Sequence, residues 1–170
     1  MDAQTRRAKI AQRLREAEEP VSASALAREY SVSRQIVVGD VALLRAGGLD
    51  IVATARGYVL ARQSPGLTRT VACVHPLEKM ARELEIMVDN GCQVLDVIVE
   101  HPVYGQLAGQ LGLSSRYDVQ EFVRKVEQNK ALPLSYLTMG VHLHTLRCPS
   151  EEACRRVLAA LEQEGFLFQA

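Results

Sequence analysis

The residues of this chain best suited to chemistry are its 4 histidines, and they are unevenly placed. His142 and His144 stand one residue apart in the aliphatic run Gly-Val-His-Leu-His-Thr-Leu, residues 140–146. In a strand, side chains alternate between faces. Val141, Leu143 and Thr145 then point one way, and His142, His144 and Leu146 the other. Two imidazoles so placed lie ~7 Å apart along the backbone, close enough to share one metal ion. Imidazole is a ligand for zinc, nickel, copper and iron. The same pattern suits a pair of structural or exposed histidines, and spacing alone leaves both readings open. His75 and His101 are each followed by proline, directly after strand-like runs. Proline keeps the preceding residue extended, so both belong at strand ends, where sites tend to form. Glu83 is the carboxylate to set beside His75. Eight residues on one helix span ~12 Å, so the two can share an ion only if His75 lies off the helix. Otherwise Glu83 is a solvated helix flank. Arg116, in Ser-Ser-Arg-Tyr-Asp, carries a guanidinium able to grip a carboxylate through two hydrogen bonds, or simply a surface charge.

The elements that must position these residues follow from periodicity and punctuation. The stretch 62–66, Arg-Gln-Ser-Pro-Gly, is a polar, turn-prone linker and divides the chain into residues 1–62 and 63–170. Behind it we expect an α+β sandwich: one mixed or antiparallel sheet with helices on a face. Residues 68–74 and 92–100 read as strands. Residues 77–89 and 117–129 read as helices with apolar stripes. Residues 102–113, Pro-Val-Tyr-Gly-Gln-Leu-Ala-Gly-Gln-Leu-Gly-Leu, read as a loop and short helix. Residues 132–138 and 139–148 read as strands or a hairpin, and Ser150 caps a last helix through Glu164.

In front of the linker, helices are expected over about 3–18, after Ser22, and over 34–46, where the Gly47-Gly48 pair stops the last one. Two short strands around Thr-Ala-Arg-Gly, residues 54–57, make a hairpin. Three helices and a hairpin form a winged helix-turn-helix. Small Ala27 sits where two helices must approach closely, Ser31 falls in the turn, and Val37 is core. Ser22, Ser33, Arg34 and Gln35 lie at helix starts, where backbone N–H groups and short polar or Arg side chains meet phosphates and base edges. Arg56 lies at the wing tip, within reach of the minor groove or backbone. Gly39 and Val38 are unusual in a reading helix, so sequence recognition falls to few side chains.

The pattern LA-x(4)-VSRQ-x(4)-D-x(3)-LR-x-G, ending in RGYVL, resembles the winged helices that open the biotin repressor and related bacterial regulators. The segments HPLEKMARELE, VEHPVYGQLAGQLGLSSRYDVQEF and PLSYLTMGVHLHTL resemble the three-histidine (3H) domain of bacterial NiaR-type transcription repressors. There that domain follows the same winged helix. The resemblance spans nearly the whole chain and keeps the order of the motifs. It implies a homodimeric repressor of NAD biosynthesis or niacin uptake genes, with an operator in double-stranded DNA and nicotinic acid as co-repressor. It also implies a divalent transition metal, nickel, zinc or iron, on His75, Glu83, His142 and His144. His101 and Arg116 are then candidates for the nicotinate pocket, and His101 equally suits a structural histidine that holds the HPVYG turn.

Composition sets outer limits. At 48% hydrophobic and 24% charged, the chain is not disordered, and no apolar run approaches the ~18 residues of a membrane helix. The N-terminal segment lacks an apolar signal core, so a cytoplasmic protein is expected. Four scattered cysteines without a C-x-x-C pair read as buried reduced thiols. Residues 1–62 hold ten Lys/Arg against seven Asp/Glu, a net +3, and residues 63–170 a net −3. A basic front half suits a polyanion. Two other functions compete: a repressor that senses the metal directly, and a metal-dependent hydrolase fused to a DNA-binding domain. Against the hydrolase, no general acid/base pair, nucleophile motif or phosphate-cradling loop is apparent, and no enzyme is expected.

Overall fold

The computed structural model describes residues 1–61 and 66–169. The linker expected at 62–66 lies, except for Gly66, outside the described residues. The chain divides into two compact units, Met1–Gln63 and Ser64–Ala170.

The first unit packs α1 (Ala3–Glu16), α2 (Ala23–Glu29) and α3 (Arg34–Ala46) beside an antiparallel hairpin of β1 (Ile51–Thr54) and β2 (Gly57–Leu60). α1 ends two residues before the expected Glu18, with Ala17 in an extended conformation. Side-chain oxygens of Asp2, Ser22 and Ser33 accept the N–H groups of Thr5, Ala25 and Ile36, capping the three helices. Ile10, Leu14, Leu26, Val37, Val41 and Ile51 form the core. Ser31 takes a left-handed turn (φ 55°) between α2 and α3. Asp40, only 4% exposed, accepts from Arg6 Nε at 2.6 Å, with Arg7 at 3.5 Å. It ties α1 to α3. The wing folds back on the segment before α2: Val21 and Tyr58 exchange backbone hydrogen bonds of 3.0 and 2.8 Å. A side chain at Gly57 would come within 2.6 Å of the Val21 carbonyl carbon, so that contact requires glycine.

The second unit is built on a four-stranded sheet of β3 (Leu67–Val74), β4 (Gln93–His101), β5 (Gly105–Leu113) and β6 (Val141–Cys148). Their order is β3-β6-β4-β5, and neighbouring strands run antiparallel. α4 (Met80–Asp89), α5 (Arg116–Gln128) and α6 (Glu151–Gln163) supply the helical layer. This is the α+β architecture expected. Cys73, Cys92, Cys148 and Cys154 are buried and free.

Two expectations fail. Residues 105–113 form a strand, not a helix. Three glycines disfavour a helix there, and Leu107, Gly109, Leu111 and Leu113 alternate with more exposed neighbours at a strand's period of two. Residues 134–138 form a 3₁₀ turn, not a strand. Pro133 starts it by accepting the Tyr136 N–H, and the chain then reverses at left-handed Met139 and Gly140. The helix expected from residue 77 likewise begins as a 3₁₀ turn and becomes α-helical only at Met80.

Candidate metal centre

β6 shows the alternation on which the histidine argument rests. His142, His144, Leu146 and Cys148 are buried, while the residues between them are half-buried. His142 faces Cys73 across the β3–β6 ladder, and His144 faces Val71. His75 follows the last residue of β3, off the helix, as its sharing a site with Glu83 requires. Glu83 projects from the first turn of α4, where the positive end of the helix dipole favours a carboxylate.

The four side chains meet. Glu83 is 1% exposed, His142 and His144 3% and His75 8%. Nε2 of His75, His142 and His144 lies 2.7, 3.0 and 3.4 Å from the Glu83 carboxylate oxygens. The rings of His75 and His142, and of His142 and His144, stand edge to face with centroids 5.0 and 4.9 Å apart.

The other nitrogen of each ring fixes its chemistry. Nδ1 of His75 faces the Pro76 carbonyl at 2.9 Å, that of His142 the Gly140 carbonyl at 2.8 Å, and that of His144 the Asp96 carbonyl at 2.6 Å. A carbonyl only accepts, so each Nδ1 carries the proton. In a neutral ring Nε2 is then a bare lone pair, and all three Nε2 atoms lie within 3.4 Å of a carboxylate that also only accepts. Two arrangements relieve the repulsion. The rings can take protons: one imidazolium neutralises the carboxylate, but each further one adds net positive charge away from water, reaching +2 for all three, which is costly. Or a cation can sit among the four groups. Imidazoles that give Nδ1–H to backbone carbonyls and turn Nε2 inward have the arrangement of metal ligands. His75 makes the mismatch visible: its Nε2 is buried and lacks an aligned hydrogen-bond partner despite the 2.7 Å approach. Three imidazoles and one carboxylate fit zinc, nickel or iron.

The titration directions agree with a charged, interdependent cluster. Burial pushes the Glu83 carboxyl up, but contacts with His142, His144 and His75 outweigh it and hold the group well below the usual carboxylate range. Burial pushes His75 and His144 down, and Glu83 outweighs it in both, raising them above the usual imidazole value.

Three backbone features hold the rings, and spacing alone did not reveal them. β4 is bulged around Asp96, which turns a carbonyl out of the ladder toward His144. Gly140 (φ 90°) lies against the His75 peptide, where an added Cβ would come within 2.6 Å of its carbonyl oxygen. The proline of the His75-Pro76 pair supplies the carbonyl for its neighbour's own ring. Cys73 was also missed. It is fully buried, and its Sγ lies with a Glu83 oxygen and a His142 nitrogen, all within 4.8 Å of one another.

His101 and Arg116 are not drawn into this cluster. His101 Nδ1 accepts the N–H groups of Val103 and Tyr104, closing the turn between β4 and β5. Arg116 grips Asp89 through two hydrogen bonds of 2.8 and 2.6 Å. Among the described residues, neither has a hydrogen bond or ion pair to the four. The guanidinium offered to a nicotinate carboxylate is already occupied by a carboxylate of this chain.

In the first unit, Arg34 and Gln35 are exposed on the first turn of α3, beside Ile36, Gly39, Ala42 and Leu43. The Ser22 and Ser33 hydroxyls cap their helices as acceptors, which leaves each O–H able to donate. Arg56 pairs with Glu19 at 2.5 Å.

Comparison with known proteins places two family models on the chain: an HTH domain over residues 6–59 and a 3H domain over residues 68–170. A protein of Thermotoga maritima named probable transcription repressor NiaR is 47% identical over 166 residues, covering 98% of this chain and 95% of that protein. The Bacillus subtilis transcription repressor NadR is 41% identical over 160 residues, covering 92% and 89%. No helix among the described residues is long and apolar enough to cross a membrane.

Proposed function

Since this chain belongs to the family of NiaR-type transcription repressors, built from an HTH domain and a 3H domain, we propose that it represses genes of NAD biosynthesis or niacin uptake. In this reading it acts as a homodimer with nicotinic acid as co-repressor and a divalent transition metal on His75, Glu83, His142 and His144. The observation that carries the metal is the set of three inward Nε2 atoms around one buried carboxylate. Bound there, nickel, zinc or iron supplies positive charge and open coordination for an anionic effector. The protein's part is to hold the donors in place, through Nδ1–H groups anchored to three carbonyls.

At the DNA, α3 enters the major groove with Arg34 and Gln35 foremost. Arginine suits guanine and glutamine suits adenine, while the exposed Ile36 suits a thymine methyl. The hydroxyls of Ser22 and Ser33 donate to phosphates. Arg56 exchanges Glu19 for the backbone. In a dimer, two such helices dock one helical turn apart, ~34–36 Å, and the effector acts by favouring that spacing.

The test is a gel-shift titration of metal-loaded protein on the DNA upstream of its own gene, with and without nicotinate, joined to elemental analysis of untagged protein. Tighter binding with nicotinate, and about one transition metal per chain, are expected. An affinity that nicotinate leaves unchanged removes the co-repressor. A switch driven by metal alone makes the ion itself the signal.

A further inference from the structure

Cys73 is not among the histidines and carboxylate assigned above, yet it borders them. It is the first of the four cysteines and is fully buried. It lies opposite His142 in the antiparallel ladder between β3 and β6, and directly opposed residues share a face of the sheet with Cβ atoms about 4.5–5.5 Å apart. The chain reaches His75 two residues later, and α4 sets Glu83 against the same face. Among the described residues, Cys73 Sγ, a Glu83 oxygen and a His142 nitrogen are the metal-capable atoms that all fall within 4.8 Å of one another. The other three thiols are grouped apart: Cys92 Sγ lies 3.2 Å from that of Cys148, at the far end of β6 from His142.

We propose that Cys73 is a sulfur donor to the metal centre, adding a thiolate to the three imidazoles and the carboxylate. The inference rests on the metal reading above and extends it. Ligation exchanges the S–H bond for a sulfur–metal bond, and the proton passes to solvent. A fully buried thiol has little hydration to lose on ligation. The sulfur biases the site toward zinc, nickel and cobalt and against magnesium and manganese, which prefer oxygen donors.

Cobalt(II) is the probe, added to the full chain and to Cys73→Ser and Cys73→Ala. Wild-type protein is expected to take up one cobalt per chain, with visible ligand-field bands and a near-ultraviolet thiolate-to-cobalt charge-transfer band. Both variants keep the ligand-field bands and lose the charge-transfer band. The alanine variant guards against a serine hydroxyl that upsets this dry site, since either variant can report the loss. Ligand-field bands without charge transfer in the wild type overturn the sulfur donor and leave the histidine–carboxylate centre standing. A charge-transfer band that survives in both variants also overturns it, and places cobalt on the other thiols. Failure of the wild type to bind cobalt overturns the centre and the sulfur donor together.

Discussion

Replacing Glu83 by glutamine separates the metal from the fold. The variant keeps size and shape and removes one charge. Without metal, the new amide can donate N–H to a neutral imidazole Nε2, which the carboxylate cannot do. Metal-free Glu83→Gln is therefore expected to melt at least as high as the wild type at alkaline pH, despite being 1% exposed. With metal the order reverses. At a free ion concentration one hundred times Kd, a ligand of the native state adds about 2.7 kcal/mol. Losing an outer-shell partner of a metal site weakens binding 10–100-fold, so loss of the carboxylate itself costs about 100-fold or more. At the same ion concentration the gain then falls to about 0.4 kcal/mol. At about 4 °C per kcal/mol for a domain of this size, the metal-induced rise in Tm drops from about 11 °C to under 2 °C. Thermal melts of both proteins with nickel or zinc, against chelator, measure it. A full metal response in Glu83→Gln, or a metal-free variant that fails to fold at any pH, refutes the reasoning.

Metal-free protein should lose stability as pH rises. His75 and His144 are raised above their usual value of 6.5, so their contribution is complete below 6.5 and is lost as pH climbs through the higher folded-state values. Glu83 is lowered, so its contribution is complete above its usual 4.5 and is lost progressively as pH falls from there through the lower folded-state value. Urea melts from pH 5 to 9 with chelator check this, and added metal should flatten the alkaline loss. Asp40→Ala should destabilise the first unit, because it removes the buried carboxylate through which Arg6 and Arg7 of α1 are tied to α3; denaturant melts monitored in the full chain report it. Gly140→Ala should displace the His75 turn, since its Cβ would meet the His75 carbonyl oxygen at 2.6 Å, and the metal-induced rise in Tm should shrink with it. Arg34→Ala should weaken binding to operator and lower the slope of log affinity against log salt by about 1 if it contacts phosphate, or relax one base position if it reads guanine.

Much of this was legible in the residues. Strict alternation in residues 141–146 put both imidazoles on one face, because a strand offers no other arrangement. Pro76 marked His75 as lying outside the helix. The serine caps and the Gly47-Gly48 stop bounded α3 at Arg34 and Ala46. In residues 105–113 the glycines stood where larger side chains would have made the alternation plain, so the strand resembled a loop. Residues 134–138 were apolar enough for a strand, but Pro133 and the reversal at Met139 and Gly140 govern them. The carbonyls that anchor the rings were out of reach, because the bulge at Asp96 depends on the pairing of three strands. The role of Asp40 was hidden as well: its partner Arg6 lies in a different helix, and nothing in either residue's neighbours announces the pair.

The anchoring of all three imidazoles to peptide oxygens has a mechanical consequence. None of these rings can swing toward or away from a guest without tugging on main chain: at the exit of β3, at the entry to β6 and at the kink in β4. A displacement at the centre would thus be passed to strand ends through these hydrogen bonds. On the metal reading proposed above, the sheet is the part of the second unit that would register whether the chamber is filled.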